Sequence, residues 1–188
     1  SEMCIRDRYS EILTVELEND FLPFLYPNQY VNFTPDSKAS QLALSLIDED
    51  TVDVDALQQI YDYVVSNLTY DYEKADTVTT GYLPDVDETL KTGTGICFDY
   101  AALTTAMLRS CDIPCKLQIG YAGDIKHAWI DVYIRSKGWV NQAVSFKGDT
   151  WTLMDPTFDS NSDDKEAIQD YIGDESNYTV QFLSLIHI

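Results

Sequence analysis

Residues 93–110 read GTGICFDYAALTTAMLRS, and this stretch organises the rest of the sequence. From Cys97 onward, small and apolar residues return every three or four positions, which predicts one helix that ends near Ser110. Asp99 and Arg109 are expected to face water, because they interrupt the apolar pattern. The opposite side of the helix carries Phe98, Ala101, Ala102, Thr105 and Leu108, and the small Ala101, Ala102 and Ala106 permit close packing against a sheet.

Cys97 lies in the first turn of this predicted helix, directly after a glycine-rich run. The free N–H groups and the positive end of the helix dipole stabilise an anion there, and the thiolate is the nucleophilic form of cysteine. Gly93 and Gly95 would let the backbone turn tightly and leave room for a substrate. A small buried residue that merely begins a helix would give the same pattern, so both interpretations stay open on this feature alone.

The hydrophobic period changes from 3.6 to 2 after the helix, and this change predicts strands. Apolar and polar residues alternate in CKLQIGY (115–121) and again in HAWIDVYIR (127–135). His127 begins the second of these strands, beside the short turn AGDIK. Helices followed by a run of antiparallel strands predict an α+β fold, in which the cysteine-bearing helix packs on an antiparallel sheet.

Further helices are predicted on the N-terminal side of Cys97. Residues 40–47 form a short one, and 85–91 a single turn. The clearest begins near Asp53, which is expected to cap it, and it has one apolar face. That face carries Leu57, Ile60, Tyr61, Val64, Val65 and Leu68.

The sequence predicts one domain, at 39–182. Residues 11–38 are interpreted as a lead-in or as the remnant of an upstream region. Both ends, 1–10 and 183–188, differ from the acidic, tyrosine-rich chain between them, and we expect them to be foreign residues.

Composition and charge exclude some classes of partner. The 188 residues are 45% hydrophobic, which is enough for a packed core, and 12 Lys and Arg stand against 32 Asp and Glu, for a net charge of −20. Such a charge repels phosphate backbones, so nucleic acid is not an expected partner. No apolar run approaches the 18 or so residues that a membrane-spanning helix requires, so no span is expected in this fragment.

Metals and cofactors are not predicted. With Cys4 set aside as part of the foreign segment, Cys111 and Cys115 form a lone C-x3-C without a second pair of zinc ligands. DSNSDDKEAIQD (159–170) alternates oxygen-bearing residues as a calcium loop does. It lacks the glycine at the sixth position and ends in Asp, so a solvated acidic loop is the better interpretation.

A catalytic cysteine needs a base, and the base needs an acceptor that orients it. His127 is the candidate base once His187 is set aside with the tail. Asp155 is a candidate acceptor, because it closes the strand TWTLMD and the proline that follows favours extended geometry. On spacing alone, Asp124 and Asp131 stay open as alternatives.

Several separated motifs carry a resemblance to a known family: GICFDYAALTTAMLRSCDIPCKLQIGY, HAWIDVYI, GWV and WTLMDPTF. Together they cover about 53–158, and they resemble the core of the transglutaminase-like superfamily, in particular bacterial transglutaminase-like domain proteins. The resemblance implies a papain-like α+β fold in which Cys97, His127 and Asp155 form the catalytic triad. One departure is Cys111, in a turn where the family usually has glycine.

The resemblance also implies a chemistry and a setting. Cys97 would attack an amide carbonyl, His127 would protonate the departing amine, and Asp155 would hold the imidazole, through a thioester intermediate. We expect hydrolysis of protein or peptide substrates, including cell-wall material, and an extracytoplasmic or secreted location. The alternatives are transglutaminase-type cross-linking and a non-catalytic module that binds peptides or cell surfaces; the oligomeric state is not predicted.

Overall fold

The computed structural model describes residues 19–79, 81–122, 125–140, 144–147, 150–153 and 178–183. A short 3-10 turn at Leu22–Phe24 precedes the helices. The helices are α1 (Lys38–Leu46), α2 (Asp53–Asn67), α3 (Tyr72–Thr77), α4 (Val86–Thr92) and α5 (Cys97–Ser110). The strands are β1 (Thr69–Tyr70), β2 (Thr94–Gly95), β3 (Cys115–Ala122), β4 (Ile125–Ile134), β5 (Gly138–Val140), β6 (Val144–Lys147), β7 (Thr150–Leu153) and β8 (Tyr178–Leu183).

A four-stranded antiparallel sheet, in the order β5-β4-β3-β8, forms one layer. Its central pair is the β3–β4 hairpin, in which the register runs from Cys115 opposite Val132 to Ala122 opposite Ile125. β6 and β7 pair as a separate hairpin, and the two-residue strands β1 and β2 run parallel. Helices that precede an antiparallel sheet confirm the predicted α+β class.

Helix α5 is the centre of the fold, and it begins and ends where the sequence predicts. All eleven residues from 99 to 109 are buried, because α1, α2 and α4 pack on the helix from one side and β3 and β4 from the other. The prediction that Asp99 and Arg109 face water is therefore wrong. A helix enclosed on every side has no solvated face, so a polar residue within it needs buried partners.

Arg109 finds its partners in backbone carbonyl groups. Its Nε and Nη2 donate to the carbonyl oxygen of Cys115, at 3.1 and 2.7 Å, and its Nη1 donates to that of Tyr26 at 2.6 Å. Burial lowers the pKa of this guanidinium below its ordinary value. The side chain thus joins the start of β3 to a segment 83 residues earlier in the chain.

The segment that precedes α1 packs against the rest of the fold. Val31 and Phe33 are buried in the same core cluster as α5 and the sheet. The ring of Phe21 lies 4.4 Å from that of Tyr133, between centroids. Lys116 places its ammonium group 3.6 Å from the centroid of a neighbouring ring, that of Trp139.

Asp53 does not cap α2 as predicted. The helix begins at Asp53 itself, and the preceding residue makes no side-chain cap. The Asp53 carboxylate instead accepts from the guanidinium of Arg135, whose Nε donates to both carboxylate oxygens at 2.9 Å and whose Nη2 donates to Oδ1 at 2.5 Å. It also accepts from the Arg135 backbone N–H at 2.9 Å. This contact fastens the start of α2 to the end of β4.

The Asp53–Arg135 pair predicts a stability that depends on pH. Burial favours the protonated carboxyl group, but the hydrogen bonds and the charge of Arg135 outweigh it and lower the pKa of Asp53. An unfolded Asp titrates near 3.9, so the contribution is complete above about pH 5 and is lost as the pH falls through the lower folded value. Arg135→Gln should reduce the free energy of unfolding by about 0.5–1 kcal/mol at pH 7, since Arg135 is 79% exposed.

Urea unfolding of wild type and Arg135→Gln between pH 2 and 7 measures this effect. The difference in unfolding free energy should shrink as the solution becomes more acidic. Lys91→Gln is the control, because it breaks an exposed pair with Glu88 within one helix. A difference between wild type and Arg135→Gln that stays constant down to pH 2 would show that the ionised Asp53 is not its source.

Among the residues that the structure describes, no helix combines the length and the apolar composition needed to cross a bilayer.

Candidate active site

Cys97 is the first residue of α5, and its side chain is half-buried. The preceding residue, Ile96, is extended (φ −96°, ψ 174°) and offers no side-chain acceptor to the helix. The first N–H groups of a helix have no carbonyl partner within it. The start of α5 therefore places N–H groups that have no acceptor within the helix, and the positive end of a dipole, beside the sulfur, as the sequence predicts.

An open cleft of about 320 Å³ adjoins Cys97. One side of the cleft comes from the sheet, through Ile119 of β3 and Ala128 of β4. The other side comes from the chain between β1 and α4 and from the start of α5. Its further lining residues are mostly apolar or aromatic: Tyr70, Ala75, Val78, Thr79, Gly81, Tyr82, Ile96 and Phe98.

The sheet brings the candidate base to this end of the molecule. His127 lies in β4, where its backbone is opposite Gly120, and it directly precedes the cleft residue Ala128. The third predicted residue, Asp155, lies outside the described residues, two positions after the end of β7. Of the alternatives to it, Asp131 is buried in β4, and Asp124 lies outside the described residues.

Asp99, two residues after Cys97, is completely buried, and sequence reasoning missed its role. Its Oδ2 accepts from the backbone N–H of Ile96 at 2.8 Å and from Nζ of Lys74 at 2.7 Å. Its Oδ1 accepts from the hydroxyl of Tyr82 at 2.6 Å. One carboxylate thus joins the start of α5 to α3 and to the loop before α4.

Gly95 explains why Asp99 fits against the helix start. A Cβ atom at residue 95 would lie 2.7 Å from the Cβ of Asp99, closer than real Cβ atoms come to one another. The space that we expected Gly95 to leave for a substrate is therefore occupied by Asp99. Gly93 does act in a turn, since it ends α4 in the left-handed region at φ 64°.

The ionisation of the Asp99 partners follows from these contacts. Burial opposes the charged form of Lys74, but the hydrogen bonds and charges of Asp99 and Tyr82 outweigh it and raise its pKa. Burial, and then the hydrogen bond to Asp99, raise the pKa of the Tyr82 hydroxyl. Tyr82 is a weak candidate for an oxyanion donor, because its single proton is directed at Asp99.

The other described cysteines are in environments that disfavour the thiolate. Burial raises the pKa of Cys111 to about 11 and that of the fully buried Cys115 to about 12. Both are free of disulfides. Among the described residues, no three ligating side chains come together as a metal site, and the predicted acidic loop at 159–170 lies outside those residues.

Comparisons with known proteins place this geometry in a family. Residues 40–156 match the transglutaminase-like superfamily. A curated protein of Methanocaldococcus jannaschii, UPF0252 protein MJ1282, is 36% identical over 62 residues, which are 30% of this chain and 18% of that protein.

Solved structures share the fold. A candidate cysteine protease from Cytophaga hutchinsonii superimposes with a TM-score of 0.56 at 22% identity, over 88% of this chain and 47% of that one. The periplasmic domain of TgpA from Pseudomonas aeruginosa, bound to ethylmercury, superimposes with a TM-score of 0.50 at 19% identity, over 70% of this chain and 48% of that one. This chain thus spans about half of each of these proteins. Because the family match covers more than half of the chain, and the motifs resemble the same family, this chain belongs to the transglutaminase-like superfamily.

Proposed function

We propose that this chain is a cysteine-dependent acyl-transfer enzyme that hydrolyses amide bonds in proteins or peptides. One observation carries the proposal: Cys97 lies at the start of α5 and lines an open cleft, one wall of which is formed by the sheet whose strand β4 contains His127. In this proposal Cys97 is the nucleophile, His127 the general acid and base, and Asp155 the group that orients the imidazole.

The first half of the reaction forms an acyl-enzyme. The Cys97 thiolate attacks the amide carbonyl, a C–S bond forms, and the carbonyl oxygen becomes an oxyanion. The N–H groups in the first turn of α5, which have no acceptor within the helix, are suited to stabilise that charge. The C–N bond then breaks, and the departing amine takes a proton from the His127 imidazolium, which leaves a thioester on Cys97.

The second half releases the acid. Water loses a proton to His127 as it attacks the thioester carbonyl, the C–S bond breaks, and the thiolate is restored. We favour water over an amine as the acceptor, because the cleft is open to solvent on its described side. The location that we propose is outside the cytoplasm, in keeping with the net charge of −20 that would keep the protein soluble there.

The chemistry is tested by trapping the acyl-enzyme. Incubation with 4-nitrophenyl acetate, followed by acid quenching and trypsin digestion, should yield peptide 92–109 with one acetyl group. This peptide carries Cys97 as its single cysteine. An unmodified peptide alongside acetylated lysines would contradict the nucleophilic role of Cys97.

The acceptor is tested with denatured casein in ¹⁸O-labelled water that also contains putrescine. Hydrolysis should give new carboxyl termini that each carry one ¹⁸O atom. Putrescine adducts on glutamine side chains, without new termini, would show transamidation in place of hydrolysis.

A further inference from the structure

We propose that Asp99 and Lys74 form a positioning pair for Cys97: the carboxylate fixes the first turn of α5, and the ammonium group cancels the negative charge that it brings. The inference rests on the proposed function in one respect, that Cys97 works as a thiolate. Neither residue is among the described residues that line the cleft, so both act through Cys97 and not on a substrate.

The fixing role follows from the hydrogen bonds of Asp99. Its carboxylate accepts the N–H of Ile96, the residue that precedes Cys97, at 2.8 Å. This bond defines where the helix begins, because it satisfies the backbone donor at the N-cap. The Cβ of Asp99 meanwhile fills the space above Gly95, so the chain on the N-terminal side of the cysteine is held as well.

The same carboxylate creates an electrostatic problem for a nucleophile. Asp99 is the third residue of α5 and Cys97 the first, so a helical rise of 1.5 Å per residue keeps them within one turn. A buried anion at that distance disfavours a thiolate. The charge of Asp99 therefore opposes the stabilisation of the thiolate that the helix start provides.

Lys74 compensates for the negative charge of Asp99. Its ammonium group lies 2.7 Å from Asp99 Oδ2, so the ion pair is neutral as a whole, and it lies 4.6 Å from the centroid of the Tyr82 ring. Of the described residues that line the cleft, the ionisable ones besides Cys97 are Tyr70 and Tyr82. Among the residues whose side chains the structure describes, the groups that set the charge around the sulfur are therefore Asp99, Lys74 and the two tyrosines, and His127 joins them as the proposed partner.

The pair also holds one wall of the cleft. Lys74 and Tyr82 belong to the segment 72–82, and Ala75, Val78 and Thr79 of that segment line the cleft beside Cys97. Since both Lys74 and Tyr82 bind Asp99, this wall is fastened to the helix that carries the nucleophile.

Two variants that change the charge in opposite directions distinguish an electrostatic role of the pair from a merely structural one. The pH at which iodoacetamide alkylates Cys97 at half its maximal rate is read from peptide 92–109 by mass spectrometry. Lys74→Gln leaves the carboxylate uncompensated and should raise this midpoint by about one pH unit. Asp99→Asn leaves the ammonium group uncompensated and should lower the midpoint by about half a pH unit. This shift is smaller than that of Lys74→Gln because the Lys74 side chain is 29% exposed and its charge is partly screened by solvent.

Matched controls are available in the chain. Lys38→Gln and Asp62→Asn make the same chemical changes at exposed positions whose partners are Gln41 and Gln58. Neither control should move the midpoint by more than about 0.2 pH unit, because charges far apart at the surface are screened. Cys111 and Cys115 are alkylated on a different tryptic peptide, 110–116.

The outcomes separate this inference from the proposed function. Shifts of opposite sign in the two variants support the positioning pair, whatever the midpoint of wild type. A wild-type midpoint at the ordinary thiol value of about 8.5 would contradict the proposed enzyme, but not the pair. A low wild-type midpoint with both variants shifted the same way, or unshifted, overturns the pair and leaves the enzyme standing. Lys74→Gln decides alone if Asp99→Asn fails to fold, because Lys74 is partly exposed; an unchanged midpoint in that variant overturns the inference.

Discussion

Cys97→Ala is expected to reduce kcat/KM for peptide hydrolysis by about 10⁶-fold, which leaves only the contribution of binding and oxyanion stabilisation. The loss is this large because no acyl-enzyme can form without the sulfur, and water must then attack the amide directly. The change should leave the fold intact, since Cys97 is half-buried and alanine is a good helix former. The substrate is a fluorogenic peptide that contains the casein sequence around the bond that wild type cleaves fastest, and its rate of hydrolysis is measured.

Cys111→Ala provides the matched control. This cysteine is also half-buried, lies at the other end of the same helix, and has its pKa raised to about 11. It should keep kcat/KM within about twofold of wild type, in line with its distance from the chemistry. Residual hydrolysis above one tenth in Cys97→Ala, with Cys111→Ala unchanged, would rule out Cys97 as the nucleophile.

His127→Ala should lower kcat/KM for the same peptide by about 10³-fold or more. Two steps fail together, because no imidazolium protonates the departing amine and no imidazole takes the proton of water. The variant should also alkylate more slowly at neutral pH, since a neighbouring imidazolium favours the thiolate. Rates of hydrolysis and of alkylation at peptide 92–109 measure the two effects separately.

His187→Ala is the control here, because His187 is the other histidine of the chain and was set aside on sequence grounds. It should match wild type in both rates. If His127→Ala alkylates at the wild-type rate from pH 6 to 8, the sulfur and the imidazole do not act as a pair, and another base would have to be sought.

The parts of the fold that follow from local pattern were predictable. Helix α5 begins at Cys97 and ends at Ser110 as its spacing predicts, and β3 and β4 follow their alternation of apolar and polar residues. Helix α3 was not predicted, because six residues in a polar stretch give too few turns for a periodic signal. It is capped by Asp71, whose carboxylate accepts from the N–H of Lys74 at 2.8 Å.

The errors share one physical cause, which is that a sequence pattern does not reveal distant partners. Asp99 and Arg109 look like solvated residues until Lys74 and the carbonyl of Tyr26 are known to meet them. Asp53 has the position of a helix cap, yet Arg135, 82 residues away, offers its carboxylate a bidentate site. The burial of a charged residue is decided by tertiary packing, so it cannot be deduced from its neighbours in the chain.

For the candidate site, the sequence predicts a nucleophile, but it does not predict the residues that support the start of α5. The motif around Cys97 carries its own signal, a cysteine at a helix start after glycines. The support of that helix start comes from Lys74 and Tyr82, which lie on a separate segment of the chain. A glycine followed four residues later by an acidic residue, as in Gly95 and Asp99, is the one local sign that could have indicated the close packing.

The guanidinium of Arg109 has a practical consequence for anyone who expresses a piece of this protein. A fragment that began at residue 39, the predicted domain boundary, would delete Tyr26 and so remove one acceptor of a buried cation. It would also strip Val31 and Phe33 from the core. The smallest piece that can fold as described must therefore reach back to about residue 21, well before the family match at 40 begins.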